Sequence, residues 1–519
     1  MNKYLNKVFL IICYLYLSIV MSFSLTDDYR VFIFFLVFFL PFIIFIKKKN
    51  HGKDQLKAYK FLGSKIFIKK VESEIPLKFG FLFFIIILIG QIVFWLGYFP
   101  GGFNLDAYGQ WMQAHNDLSL NDWHPFVSTL IIKFIIKILD SFAFYIFFCI
   151  LMYALSSSLI VYELSKHGLK HAWIWFLTLY YSISPAICLQ NICLTKDVQF
   201  TIIFNFMFWM LLKIFFSKGK WLTNKSNIVC MSILCTLLIF VRHNGVLFVA
   251  PLLLVILILY VKEKASILKI ILLVICLSLI IKIPISKGLR VEPHDNVIGE
   301  LVGVPMSIMA NALVNDNENI PEAVHAFLNE IADDNEWKNH YIVGEWDSCK
   351  WEFGGTDLLN EVSLYNILHH TIHTAISCPA TTYQSLKANT RITWETFETF
   401  KEWIPIVYVE KNNYGITSNG IEALRKTTNI ILNFSMLFPI SILLWNIGFQ
   451  SVIILLAYFV FQKKIDNHIL LLIIPLLVFN IGTTLLLAGP NYRYFYHTEI
   501  VFIPIFFLLF YDDKIEEIQ

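Results

Sequence analysis

The sequence predicts an all-α polytopic membrane protein of about 12 spans, and three observations carry that prediction. Of 519 residues, 57% are hydrophobic and only 15% charged, where a soluble domain carries about 25% charged residues. Apolar runs approaching the ~20 residues that cross a bilayer as a helix recur along the whole chain. Basic clusters fall at alternate ends of those runs, as the positive-inside bias requires. A net charge of +3 is too small to suggest a nucleic-acid partner.

The first span is expected near Leu5–Leu25, a retained span rather than a cleaved signal peptide, because no small-residue cleavage site follows it. The second is Val31–Ile46. The strongly basic stretch Lys47–Lys78 then fixes the cytoplasmic side, so Phe79–Tyr98 runs outward and the loop after it lies outside. In FVSTLIIKFIIKIL, Lys133 and Lys137 are four residues apart on one helical face, which suggests a helix lying in the interface. Further spans follow at Phe142–Leu164, Trp173–Leu189, Phe200–Phe216, Ile228–Val241, Val246–Val261 and Ile267–Ile285. The loops SKHGLKH, SKGKWLTNK and KEK are basic and fall inside.

Residues 286–425 form the one long polar segment, and parity puts it outside. Helical pieces are expected at Ile298–Val314, at Pro321–Glu336 with proline in the first turn, at Asp357–Ser377 and at Thr381–Trp403. No alternating strand runs occur, so this segment reads as a small, mostly helical outer domain between a transmembrane module (1–285) and C-terminal helices (426–519). Residues 419–438 read as an interfacial helix, and spans at Pro439–Phe461, Ile469–Leu487 and Ile500–Phe510 complete the chain.

Of nine cysteines, Cys13, Cys149, Cys230, Cys235 and Cys276 lie inside apolar runs as small packing residues. There is no CxxC, hence no zinc or redox signature. Cys349 and Cys378 lie in the polar segment and can pair if it is extracytoplasmic.

The densest polar island is FPGGFNLDAYGQWMQAHNDLSLNDWHP, residues 99–125, within an outer loop region of 99–138. Four others are Lys196-Asp197, Arg242-His243-Asn244-Gly245, His294-Asp295 and Tyr492-Arg493-Tyr494. Each of Lys196, Arg242 and Arg493, taken alone, reads as a cation snorkelling to the interface. Together, each within a polar cluster at one membrane depth, they fit a phosphate or diphosphate headgroup. Asp106 follows a flexible Pro-Gly-Gly turn. It can act as general base on a hydroxyl, hold a divalent cation with Asp122 and His124, or cap the helix AYGQWMQAH. Trp111, Trp123 and Tyr108 are sugar-stacking platforms or, as most such residues are, an interfacial aromatic belt.

The string YFPGGFNLDAYGQW…DWHP resembles the first outer loop of bacterial GT-C-type membrane glycosyltransferases. More narrowly, it resembles a family with a PG…D…QW…DWHP loop. LTKD, RHNG, IGELVGVPMSIMA and NYRY follow in the order that family has, so the resemblance covers most of Tyr98 to Phe506. It implies a polyprenyl-phosphate-linked sugar donor, an envelope polysaccharide, lipid or protein acceptor, and Asp106 in the catalytic position. Lys196, Arg242 and Arg493 would bind the donor phosphate, supported by Asp122, His124, Asp197, Asn244 and Tyr494. The chain lacks the second acid that protein O-mannosyltransferases carry beside this position, which leaves metal use and protein acceptors open. A transporter of a lipid-linked sugar, or a polysaccharide polymerase or ligase, would need similar cations. A transporter usually has inverted repeats and helices interrupted near the midplane, and here the polar residues gather at one face.

Overall fold

A computed structural model describes residues 2–35, 53–67, 75–293, 301–353, 362–486 and 489–511, with residues 37 and 299. Among the described residues there are helices and isolated bridges but no strands. Among the described residues six helices are long and apolar enough to cross a bilayer: Tyr4–Leu25, Leu77–Gly97, Phe142–Lys166, Lys196–Phe216, Val261–Gly288 and Asn467–Leu486. A seventh arises if His171–Ile183 and Pro185–Asn191, bent by 45°, count as one. The protein is therefore a helical membrane protein, with fewer full-length spans among the described residues than the twelve expected.

The difference has a physical reason. Lys225–Val241, His243–Leu259, Ile447–Phe461 and Tyr496–Leu508 are apolar but only 10–17 residues long. At 1.5 Å per residue they reach about 15–26 Å, short of a hydrocarbon core of ~30 Å. The expected span Pro439–Phe461 is broken into Ile440–Trp445 and Ile447–Phe461, where Asn446 caps the second helix by accepting from the Phe449 amide. Most of the expected span Val31–Ile46 lies outside the described residues.

The long helices share one continuous apolar core, which includes Phe94, Tyr145, Tyr153, Phe204 and Phe479. The N-terminal helix joins it late in the chain's own order: Phe9 and Tyr14 pack edge-on against Tyr458 and Phe459. Phe126–Ile138 is a helix as expected, half-sunk, with Ile132, Ile135 and Ile136 buried and Phe134 and Ile138 exposed. Glu422–Ser435 is the amphipathic helix expected near 419–438. It lies against Leu77–Gly97, and Asn429 Oδ1 accepts from the Tyr98 hydroxyl at 2.6 Å.

The long polar segment has a second, smaller core, built on Val302, Met306, Met309, Val324, Trp337, Trp346 and Ile367. Its helices are more broken than the periodicity predicts. Pro321 precedes Glu322–Asn329 as its cap, and that helix stops. A new one, Asp334–His340, then starts from a capping box in which Asp333 and Glu336 serve each other's backbone. Leu364–Ser377 begins at a Ser363 cap rather than at residue 357, and residues 354–361 lie outside the described residues. The run expected over Thr381–Trp403 is divided into Pro379–Asn389, one turn at Arg391–Trp394 and another at Lys401–Trp403. Cys349 and Cys378 are separate buried thiols and do not form the disulfide that an outer location would permit.

Residues 404–421 have no regular structure but run back over the first loop. The Phe103 amide donates to the Tyr408 carbonyl at 2.8 Å and the Glu410 amide to the Phe103 carbonyl at 2.7 Å. On the other side, the Gly102 amide donates to the Ile192 carbonyl and the Leu194 amide to the Gly102 carbonyl, at 2.8 and 3.0 Å. The loop is thus clamped between two chain segments. Glycine is required at Gly101, whose φ is +122° and where a Cβ would sit 2.4 Å from the Ile192 carbonyl.

Candidate functional site

The clamp aims the start of the helix Leu105–His115 at three other loops. Asn104, not Asp106, is its N-cap, accepting from the Ala107 amide at 2.9 Å. The expected capping role therefore falls two residues earlier, and the Asp106 side chain is free to point elsewhere. It is 42% exposed and meets two groups: Arg493 Nη1 lies 3.2 Å from Oδ2, and His124 Nε2 lies 3.8 Å from Oδ1. His124 is buried, and its Nδ1 stands 3.3 Å from Lys196 Nζ.

Lys196 and Asp197 open the helix Lys196–Phe216, capped by Thr195. Asp197 is 2% exposed in its side chain and bridges the two arginines: Arg242 Nη1 is 3.3 Å from Oδ1, and Arg493 Nε is 3.9 Å from Oδ2. Arg242 also donates to the Tyr494 carbonyl at 3.0 Å and lies against the rings of Phe200, Phe479 and Tyr494. Arg493 donates to the Tyr494 hydroxyl at 2.9 Å. Residues from four distant stretches thus form one ordered set: Lys196, His124, Asp106, Arg493, Asp197, Arg242.

The two arginines are not equivalent. Arg242 is 5% exposed, and its Nη1 pairs with Asp197 and donates to the Tyr494 carbonyl. Arg493 keeps 26% side-chain exposure and stands beside the open carboxylate. Three cations against two carboxylates leave one positive charge in excess. Burial alone would raise the Asp106 carboxyl, but the charges of Arg493 and Lys196 outweigh it and hold it below the usual carboxylate value. Burial and the adjacent Lys196 push His124 down to about 3, so it is a neutral imidazole near pH 7.

Other expected residues stand at the margin. Asp122 accepts from the Phe126 amide at 3.1 Å, so it starts the half-sunk helix. Its carbonyl meets His243 Nε2 at 3.1 Å. With Asp122 so occupied, the trio Asp106, Asp122 and His124 is not gathered around one point. Among the described residues no three His, Cys, Asp or Glu side chains form a metal-holding group. Asn244 bonds Thr483 at 2.7 Å, away from Asp106. His294 and Asp295 lie outside the described residues.

Two features escaped sequence reasoning. One is a cleft of about 440 Å³ on the opposite face of Leu105–His115, lined by Phe99, Trp111, His115, Asp140 and Tyr414. The other is Glu499, fully buried, which accepts from the hydroxyls of Ser184 at 2.8 Å and Tyr180 at 3.1 Å, and from that of Tyr492. Its signal was a lone acid inside YHTEIVFIPIFF, at what looked like the edge of a span.

Fold and site together define a helical membrane protein with a half-open, net-cationic junction built on its first polar loop. The chain belongs to a family described only as a family of unknown function (DUF6020), whose match covers residues 86–352, just over half of the chain. That match takes in Asp106, His124, Lys196, Asp197 and Arg242. No curated protein and no solved structure matches the chain.

Proposed function

We propose that this protein is a GT-C-type membrane glycosyltransferase. It would move a sugar from a polyprenyl-phosphate donor to a cell-envelope acceptor on the extracytoplasmic face. The observation that carries the reading is one contact network around the half-exposed carboxylate of Asp106: Arg493 meets it directly, Lys196 reaches it through His124, and Arg242 backs Arg493 through Asp197. The resemblance of the Asp106 loop to that of GT-C enzymes supports it.

In the reaction, the acceptor oxygen forms a bond to the sugar's anomeric carbon while the bond from that carbon to the phosphate oxygen breaks. Lys196 and Arg493 take the phosphate and stabilise the charge that builds on the leaving oxygen. Arg242 acts from behind, fixing Asp197 and the Tyr494 carbonyl so that Arg493 is aimed. Asp106 orients the acceptor hydroxyl and receives its proton late, since its cationic neighbours make it a weak base. Neutral His124 stands beside Asp106's other oxygen.

The test is transfer from a purified polyprenyl-phosphate sugar to a membrane acceptor extract, beside donor binding by the same preparation. Binding without transfer, with donor crossing the bilayer in vesicles, would replace the enzyme by a transporter. The side of the membrane is read separately. Leu118→Cys, at an exposed position in the same loop region as Asp106, should react with an impermeant thiol reagent in intact cells, while Lys220→Cys should be protected. The reverse pattern would place the junction on the cytoplasmic face.

A further inference from the structure

The helix Leu364–Ser377 carries histidines at 369, 370 and 373. It is anchored to the second core through buried Ile367 and Thr374. His370 turns back toward that core, its ring stacked on Phe327 at 5.2 Å between centroids. His369 and His373 are one turn apart on the exposed side, and their Nε2 atoms stand 3.2 Å from each other. Sharing a helix face brings side chains near, but both rings must also rotate to aim one nitrogen at the same point. Among the described residues neither of these nitrogens has another hydrogen-bond partner.

We infer that His369 and His373 form a chelating site for a divalent first-row transition-metal ion, with water completing its coordination. A Zn–N bond is about 2.0–2.1 Å, so two nitrogens on one ion, at an angle between a right angle and a tetrahedral one, stand about 2.9–3.4 Å apart. The observed separation falls inside that interval. The plainer account is a hydrogen bond from one protonated nitrogen to one bare nitrogen. Between two exposed rings that bond gains little over water, whereas two imidazole lone pairs on one ion make a donor set that suits Zn²⁺, Ni²⁺ and Cu²⁺ and not Mg²⁺ or Ca²⁺. Tyr365, one turn earlier, lies along the His369 ring at 6.0 Å with 27° between the planes and helps hold it in place. The site belongs to the second core and is separate from the Asp106 junction, so it stands whatever that junction does.

The experiment is titration of the tag-free full chain in detergent with Zn²⁺, repeated with Mg²⁺ and Ca²⁺. Zn²⁺ should bind and the other two should not. His373→Gln turns a chelate into a single-ligand contact, so Zn²⁺ affinity should fall by roughly 10²-fold, while His370→Gln should leave it unchanged. Absence of Zn²⁺ binding, or equal binding by a His369→Asn/His373→Gln double variant, overturns the inference. A second measurement needs no substitution: Cu²⁺ bound to the unaltered protein should show two imidazole nitrogens in its magnetic resonance spectrum. One nitrogen or none would also overturn it.

Discussion

Asp106 and Glu499 are both acids in the first turn of a helix, and the protein surrounds them in opposite ways. Asp106 is 42% exposed and faces Arg493, His124 and, beyond it, Lys196. Glu499 is 0% exposed and is ringed by the hydroxyls of Tyr180, Ser184 and Tyr492, with no cation among those partners. An acid beside cations and water can exchange those contacts for a ligand. An acid closed in by three donating hydroxyls is committed to its neighbours and holds shape instead. The two are linked, because Tyr492 precedes Arg493 and Ser184 sits at the bend that leads toward Lys196. The closed acid fixes two of the loops that the open acid uses.

The largest effect expected comes from the open acid. Asp106→Asn keeps the size and leaves the helix cap alone, since Asn104 provides it. What is lost is the charge that orients and finally accepts the acceptor's proton. Transfer should fall by about 10²–10⁴-fold while donor binding persists. Near-normal transfer would remove Asp106 from the mechanism and collapse the distinction between the two acids.

The closed acid should answer in stability. Glu499→Ala leaves the buried Ser184 hydroxyl without its acceptor, at about 1–3 kcal/mol, while the Tyr180 and Tyr492 hydroxyls keep only the Glu499 and Leu444 carbonyls. A loss of about 1–3 kcal/mol should appear as a lowered unfolding temperature in detergent. Glu499→Gln keeps one accepting oxygen and should lose less. If the two variants unfold alike, the hydroxyl ring does not hold the junction together.

Arg493 and Arg242 sharpen the contrast on the cationic side. Arg493→Ala should weaken donor binding by about 1.5–3 kcal/mol, the range for a charged hydrogen bond. Lysine there should restore it only in part, because a point charge replaces a planar fork. Arg242→Ala leaves Asp197 as a buried charge with less compensation, so its main loss should be of fold. Equal loss of donor binding with intact folding in both would mean that both arginines touch the donor.

Much of the open site was legible because polar islands stand out in so apolar a chain. Lys196, Asp197, Arg242, Arg493 and Asp106 each sit in a short cluster between apolar runs, and tertiary folding brings the clusters together. The clamp on the first loop was hidden, since residues 192–194 and 408–410 pair through backbone groups that any side chain would permit. Glu499 was hidden for another reason: its partners are hydroxyls at 180, 184 and 492, residue types too common in spans to mark a site. Span number was overread because hydropathy counts apolar residues, while crossing a bilayer also needs length, and four apolar helices fall short of it. In the second core, breaks at Asp333 and Ser363 follow local capping that a smooth helical period conceals.

The smallest effect concerns His124 and follows from its burial. Its ordinary value is near 6.5, and in the folded protein it is pushed down to about 3. Above pH 6.5 both folded and unfolded chains hold it neutral, so it contributes no pH dependence there. As pH falls below that value the unfolded chain takes the proton first, and stability falls with it. At pH 5 the loss is about 2 kcal/mol at most. Asp106 adds nothing in this window: its folded value is lowered, so its contribution persists until pH falls into the acid range. Other histidines titrate too, so the measurement is a difference. Unfolding in detergent at pH 7 and pH 5 should separate the unaltered protein from His124→Gln, with the variant losing less. Transfer activity, resting on a neutral His124 and a charged Asp106, should show no inflection from His124 near pH 6.5. If the two proteins have the same pH slope, or if an inflection near 6.5 disappears with His124→Gln, then His124 takes its proton near pH 6.5 in the folded state, and below that pH the junction carries one more cation than its geometry implies.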